Sequence, residues 1–285
     1  MAAPNDFVAL ILTHGRADNV ITYKTLRKRG YTGAIRLVID DEDDQAQEYF
    51  AKFPGEVVQF HKAGVACDTY DNRKERRVIL FARNAAFEIA EQLGFRYFIQ
   101  LDDDYTDFQW LNDENNIYKH IPISNLDAVF CAMLEFMRDV PCKTIAMSQA
   151  GDMVGGVTGS NDRATKIRLM RKAMNSFICD TRDPFRFVGR INEDVNTYTT
   201  LGSRGVLFFS TTLLVLLQKC TQTNKGGMTG AYLDGGTYIK SFYSVIGMPS
   251  AVSVSMMNSK HPRMHHKIMW NNCVPKIINE KYKKQ

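Results

Sequence analysis

Three consecutive aspartates, Asp102, Asp103 and Asp104, follow directly on the apolar run Tyr97-Phe98-Ile99-Gln100-Leu101. The apolar half reads as a buried strand, whereas unpaired carboxylates in a dry interior each cost several kcal/mol. The acids therefore belong at the C-terminal lip of a sheet, where an open α/β fold holds its ligands. Alternate residues of an extended chain face the same way. Asp102 and Asp104 can thus share one hard divalent cation, Mg2+ or Mn2+, with a substrate's phosphates completing its shell. A second acid pair, Glu193-Asp194, opens a segment that reads as a helix. Backbone donors at a helix N-terminus hold carboxylates ionised, which favours orientation over basicity. Arg163, Lys166, Arg168, Arg171 and Lys172 form a basic run suited to phosphates. His261 and His265 in the tail offer imidazoles, which suit Mn2+ better than Mg2+. Each group also has a plainer reading: an acidic turn, a helix cap, a solvated loop, a surface histidine.

The elements that must position these residues follow from hydrophobic patterning. Phe7 to Leu12 is a continuous apolar run, expected of a strand covered on both faces, and it ends in the polar turn Thr13-His14-Gly15-Arg16. A basic helix from Tyr23 to Gly30, a strand Ile35 to Ile39 ending in the acids Asp40 to Asp44, a helix Gln45 to Phe53 and a strand Val57 to Phe60 come next. Lys74 to Leu93 carries the strongest helical periodicity, interrupted by Arg83 and Asn84, which read as a solvated face. Beyond the aspartates the pattern predicts a loop from Thr106 to Ile121, a helix capped at Ser124 and strands at Lys143–Gln149 and Ser176–Asp180. Val206–Phe209 and Leu213–Leu217 suggest a hairpin, Tyr238–Ile246 a helix and Ala251–Met257 a strand. Strands alternating with helices predict an α/β fold: a Rossmann-type, mostly parallel central sheet with helices on both faces. One domain over residues 1–285 is expected, with halves at 1–122 and 123–285 and a glycine-rich, basic excursion near 151–172.

Composition narrows the class. With 45% apolar and 24% charged residues, the 285-residue chain is of globular type. Its net charge of +5 permits an anionic partner without requiring one. The six cysteines are scattered without a CxxC pair, so reduced thiols are expected rather than a zinc knuckle or a disulfide framework. No leader-like segment or membrane span is evident, and an intracellular enzyme or binding protein, cytoplasmic in location, is the expected class.

Phe81-Ala82-Arg83-Asn84-Ala85-Ala86 ahead of Leu101-Asp102-Asp103-Asp104 resembles the nucleotide-sugar half of the GT-A glycosyltransferases, with their DxD-type motif. Glu193-Asp194 stands where that family carries its acidic acceptor-side motif. The Asn192-Glu193-Asp194-Val195-Asn196-Thr197 segment and the basic excursion are most similar to phage TET-associated glycosyltransferases, which act on hydroxymethylated pyrimidines in DNA. The resemblance implies a UDP-sugar donor and a DNA acceptor. It implies that Thr13, Arg16 and Asp40 frame the nucleotide and that Arg83 contacts it or pins the aspartates. It gives Asp102 and Asp103 to the donor side, Asp104 to the metal with His261 or His265 as further ligand, and Asp194 to the acceptor hydroxyl as base, with Glu193 second. Arg163, Lys166, Arg168, Arg171 and Lys172 would meet DNA phosphates, with Trp110, Tyr118 or Phe185 stacking on a base. No nucleophile for a double displacement is evident, which favours inversion. A nucleotidyltransferase acting on a sugar phosphate, a glycosyltransferase with a protein or saccharide acceptor, and a non-catalytic nucleic-acid binder remain as alternatives.

Overall fold

The computed structural model describes residues 2–71, 76, 78–114, 117–149, 167–173, 175–219, 239–257 and 262–275. Arg163, Lys166, His261 and most of the glycine-rich excursion lie outside the described residues.

Five strands form the central sheet: β1 (Phe7–Leu12), β2 (Ala34–Asp40), β3 (Val57–Phe60), β4 (Tyr97–Asp102) and β9 (Ser176–Asp180). Their order is β3-β2-β1-β4-β9, parallel except for the antiparallel edge strand β9. Alternation along the strands divides the core. Ala9, Ile11, Leu37, Ile39, Ile99 and Leu101 pack with Leu26 of α1 (Ile21–Lys28) and Val129, Phe130 and Met133 of α4 (Leu126–Asp139). Val8, Leu10, Leu12, Val38 and Phe98 pack on the other face with Phe81, Ala86, Ile89 and Ala90 of α3 (Leu80–Gln92). The expected mostly parallel α/β sheet with helices on both faces is therefore present, and α2 (Ala46–Lys52) completes the β2–β3 crossover.

Register decides what meets at the lip. Leu12 pairs with both Val38 and Asp102, and Asp40 pairs with Phe60. Thr13, Asp103, Asp41 and His61 are consequently the first residues past a shared edge.

A second sheet runs β6-β5-β10-β7, from β5 (Tyr105–Glu114), β6 (Ile117–Pro122), β7 (Thr144–Gln149) and β10 (Phe208–Gln218), with the short β8 (Ile167–Arg168) on β10. The Met147 amide donates to Ser176 Oγ at 2.9 Å, so β7 adjoins β9 and the two sheets abut. Three expectations are corrected here. The predicted loop Thr106–Ile121 is the β5–β6 hairpin, antiparallel from Gln109 opposite Pro122 to Glu114 opposite Ile117, with Phe108 and Leu111 buried on its two faces. The predicted hairpin at 206–217 is one strand, β10, whose register shifts between Thr211 and Val215. There Ser148 Oγ donates to the Thr211 carbonyl (2.9 Å) and Thr211 Oγ1 accepts the Leu213 amide (3.2 Å), so the polar groups are satisfied in a bulge rather than a turn. The cap of α4 is Asn125, which accepts the Ala128 amide at 3.0 Å, in place of Ser124. The Ser124 carbonyl instead presses on Gly30, at 2.4 Å from where a β-carbon would stand, and Gly30 has φ +80°. Helix α3 begins at Leu80 rather than at the expected Lys74.

The chain closes with helix α5 (Glu193–Gly202), a helical segment at 239–247 and the hairpin β11 (Val252–Met257) with β12 (Arg263–Ile268). The five described cysteines are free thiols, as expected. Among the described residues no helix is long and apolar enough to cross a membrane.

Candidate active site

Asp103 is turned inward. Thr13 Oγ1 donates to its Oδ2 at 2.7 Å and Arg16 Nη1 to its Oδ1 at 2.7 Å. With its proton committed to Asp103, Thr13 Oγ1 accepts from the buried Tyr49 hydroxyl at 2.8 Å, which itself accepts the Arg16 amide at 2.8 Å. This network fastens the β1–α1 loop to the end of β4. Its anchor on α2, Tyr49, is not singled out by the sequence, although its burial beside polar loop residues is what a hydroxyl-tipped ring allows. Burial pushes the Asp103 carboxyl up, against the Arg16 charge and the Thr13 bond. Asp103→Ala should lower stability by about 2–3 kcal/mol, the scale of hydrogen bonds to a charged group. Urea denaturation checks this, and Asp103→Asn should recover part of the loss through Thr13.

Arg83 and Asn84, whose plainer reading is a solvated face, are buried. Arg83 Nε donates to Glu193 Oε1 at 2.8 Å, and Nη2 donates to Asp102 Oδ1 at 3.1 Å and Asn175 Oδ1 at 3.3 Å. Its guanidinium stacks over Phe177 and Phe187 at 5.4 and 5.8 Å. Burial works against the Arg83 charge, but Asp102 and Glu193 outweigh it and raise its pKa. Asn84 clamps the Phe187 backbone from both sides, donating to its carbonyl at 3.0 Å and accepting its amide at 2.8 Å. One helical turn thus ties the aspartate strand to the connector that leads into α5.

Asp40 lies at the same lip in a different network. His14 Nδ1 donates to its Oδ2 at 2.9 Å, and Lys62 Nζ stands 2.8 Å from its Oδ1. Burial raises the Asp40 carboxyl, yet these two partners prevail and hold it at about 2. Lys62, 2% exposed, also reaches Glu42 at 3.2 Å. Its role was legible in principle. Parallel neighbours end at one lip, so the acid run after β2 needs a cation from just past β3.

Glu193 and Asp194 begin α5, next to Asn192 in the left-handed region (φ +55°). The Val195 amide donates to Asp194 Oδ1 at 2.8 Å. The backbone donor expected to orient Asp194 is present, but the expected low basicity is not. Burial first, then the charge of Glu193, raise its pKa above the Val195 bond and the Arg83 and Lys240 charges that lower it. Asp194 is therefore oriented and also made more basic. His265 lies on β12 with Nδ1 bonded to the His266 carbonyl at 2.8 Å. Burial lowers its pKa, as do the charges of Arg263, Lys172 and Lys240. Arg168 ends β8, and Arg171 and Lys172 follow it, all partly buried. Trp110 is 40% exposed on β5, whereas Phe185, in a loop as expected, is buried against Phe87 and Phe187 at 5.2 and 5.0 Å.

The donor set at the aspartates fits a divalent cation. Burial raises the Asp102 carboxyl to about 7, against Arg83 and helped by the charges of Asp104 and Glu193. Burial and Asp103 raise Asp104 likewise. Two neighbouring carboxylates disfavoured as anions are where a cation is stabilising. Among the described residues no three His, Cys, Asp or Glu side chains gather as a ligand group, so donor phosphates would complete such a shell.

A mostly parallel sheet thus carries acids at its C-terminal lip, bridged by a buried arginine to a second acid pair on a later helix. The family comparison names the class of protein. The model of the TET-associated glycosyltransferases matches residues 7–227, from β1 through β10, and the chain belongs to that family. The protein is accordingly a glycosyltransferase. No curated protein matches it.

Proposed function

We propose that the protein transfers a sugar from a UDP-sugar to the hydroxyl of a hydroxymethylated pyrimidine in DNA, with the help of Mn2+ or Mg2+. The observation that carries this reading is Arg83, bonded at once to Asp102 (3.1 Å) and Glu193 (2.8 Å). It brings a donor-side carboxylate and an acceptor-side acid pair into one site. Asp104, with Asp102 beside it, would hold the cation, which when bound stabilises the departing diphosphate as a Lewis acid. The loop fastened by Asp103 presents Arg16 to the nucleotide, and Thr13 keeps that loop in register with β4. Asp194 accepts the acceptor's hydroxyl proton as that oxygen bonds to the anomeric carbon. The bond from that carbon to the diphosphate oxygen breaks, and its electron pair leaves with UDP. Glu193, held by Arg83, keeps Asp194 basic through its charge. Arg168, Arg171 and Lys172 supply positive charge for the DNA backbone.

Mass spectrometry of hydroxymethylated and unmodified duplex DNA, each incubated with a panel of UDP-sugars and Mn2+, tests the proposal. A mass gain of one sugar confined to the hydroxymethylated DNA is expected; no gain with any donor would overturn the acceptor. Metal binding has a readout apart from activity. Protons compete for Asp102 and Asp104, so Mn2+ with UDP should raise the melting temperature more at pH 8 than at pH 5.5. At a ligand concentration of about 100 Kd the gain approaches ~2.7 kcal/mol. Asp104→Asn should remove that gain, and an unchanged shift in this variant would refute the assignment.

A further inference from the structure

His14 follows β1 at the sheet's C-terminal lip, outside the transfer chemistry. Its imidazole leans away from β4 and toward the end of β2. Nδ1 donates to Asp40 Oδ2 at 2.9 Å and lies 3.7 Å from Asp43 Oδ2. Asp40 has little left to offer a ligand, because His14 takes Oδ2 while Lys62 Nζ at 2.8 Å and the Glu42 amide at 3.0 Å take Oδ1. An ionised carboxylate only accepts, so this bond fixes a proton on Nδ1 and leaves Nε2 on the ring's far side. Among the described residues Nε2 meets no protein partner, and the side chain is 26% exposed. The backbone around the ring is braced without it. Asp43 Oδ2 accepts the Gly15 amide at 2.8 Å, Gln45 Oε1 accepts the Ala17 amide at 2.8 Å, and Thr13 and Arg16 grip Asp103. Gly15, at φ +65°, has nothing within 4 Å of where a β-carbon would stand, so the crest of the loop is open.

The charged groups that face the ring are Asp40, Asp43 and Lys62. The Asp40 bond raises the imidazole's pKa against burial, and the Asp43 charge adds to it while Lys62 opposes. A protonated ring carries a proton on Nε2 as well and donates from it. In the strand order β2-β1-β4, Asp102 and Asp104 lie on one side of β1 and His14 faces the other. Neighbouring strands are about 4.8 Å apart. A nucleotide whose phosphates meet a cation at Asp104 therefore reaches His14 with its nucleoside end.

We propose that His14 is a donor-binding residue whose Nε2–H, aimed by Asp40, donates to an oxygen of the donor's nucleoside, a base carbonyl or a ribose hydroxyl. This rests on the reading that a UDP-sugar is the donor. The acid that ends β2 then serves the nucleotide at one remove. It aims the imidazole and keeps it charged, while Lys62 helps to keep the acid ionised.

Isothermal titration calorimetry of UDP and of uridine, without metal, tests this at pH 6 and pH 8.5. The proteins are the wild type, His14→Phe and His14→Gln, each first shown to be folded by circular dichroism. Phenylalanine keeps a ring but offers no donor. Glutamine offers an amide nitrogen with two protons, one for Asp40 and one for the ligand. At pH 6 His14→Phe should bind both ligands about tenfold or more weakly than wild type, the scale of a hydrogen bond from a charged donor. At pH 8.5, where the wild-type ring has lost its charge, the deficit should be much smaller. His14→Gln should recover part of the affinity and lack the pH step. 2′,3′-Dideoxyuridine separates the two acceptors. A retained His14→Phe deficit assigns a base carbonyl and a lost one a ribose hydroxyl, and either supports the proposal. A deficit with UDP but none with uridine would assign His14 to the diphosphate and overturn it. Equal affinities of wild type and His14→Phe at pH 6 would overturn it too, with the UDP reading left standing. So would a larger deficit at pH 8.5 than at pH 6, which would make the neutral ring an acceptor. A wild type that binds neither UDP nor uridine removes the donor reading and the role of His14 together.

Discussion

Asp194→Asn is expected to lower kcat by about 10²–10⁴-fold, the usual contribution of a positioned general base, while leaving the protein at least as stable as the wild type. The two expectations come from the same geometry. The amide oxygen of asparagine can still accept the Val195 amide that Asp194 Oδ1 now takes at 2.8 Å, so the start of α5 is preserved. Loss of the charge removes repulsion from Glu193 and the penalty of a buried anion, the two influences that raise the Asp194 pKa. By linkage, a carboxyl raised in the folded state loses stability as pH rises from its unfolded value through its folded one. Replacing it with a neutral amide should therefore raise the melting temperature at pH 8 and change it little near pH 4. The wild-type rate should fall on the acid side at a pH above the ordinary carboxylate range. Lys240→Met should move that limb higher still, because the Lys240 charge lowers the Asp194 pKa. Steady-state kinetics over pH together with thermal melts check all of this. A variant that loses activity only because it melts would assign Asp194 a structural role.

Arg83→Gln is expected to be the most destabilising of these substitutions, by about 3–5 kcal/mol, the cost of removing one partner from a buried ion pair. Arg83 is 1% exposed and serves Asp102 and Glu193 together, so its loss strands two carboxylates at once. The deficit should depend on pH with a definite sign. Without the guanidinium, the folded-state pKa of Asp102 rises further above its ordinary value of 3.8, beyond the about 7 it has with Arg83 present. Where Asp102 is protonated, the missing cation matters least, and the deficit grows as pH rises through neutrality. Urea denaturation at pH 5 and pH 8 should show the larger difference from wild type at pH 8. A pH-independent difference would mean that Arg83 acts by packing on Phe177 and Phe187 rather than by charge. Arg83→Lys keeps the charge but cannot span both acids through one planar fork, and should fall between the two.

Local signals carried much of the layout. An apolar run such as Phe7 to Leu12 reads as a covered strand, and aspartates after Leu101 read as the lip of another. Strand and helix alternation then implies the parallel sheet. The acids themselves, Asp102, Asp104, Glu193 and Asp194, were likewise visible by type and position. The second sheet was less legible, because β5 and β10 are each broken by polar residues whose partners are distant in sequence. Least legible were the roles. Arg83 and Asn84 interrupt a helical apolar stripe, and periodicity alone assigns such residues to solvent. They are buried because Glu193, 110 residues away, and the Phe187 backbone, 103 residues away, satisfy them. Asp103 turned out to hold a loop, and Asp194 to be raised rather than held low, for a related reason. The sequence by itself determined which residues are strands and where charge gathers, since those follow from side-chain type and period. Only the tertiary structure decided which charges are buried and against what, because the cost of burying a charge depends on a partner that folding alone brings within hydrogen-bonding distance.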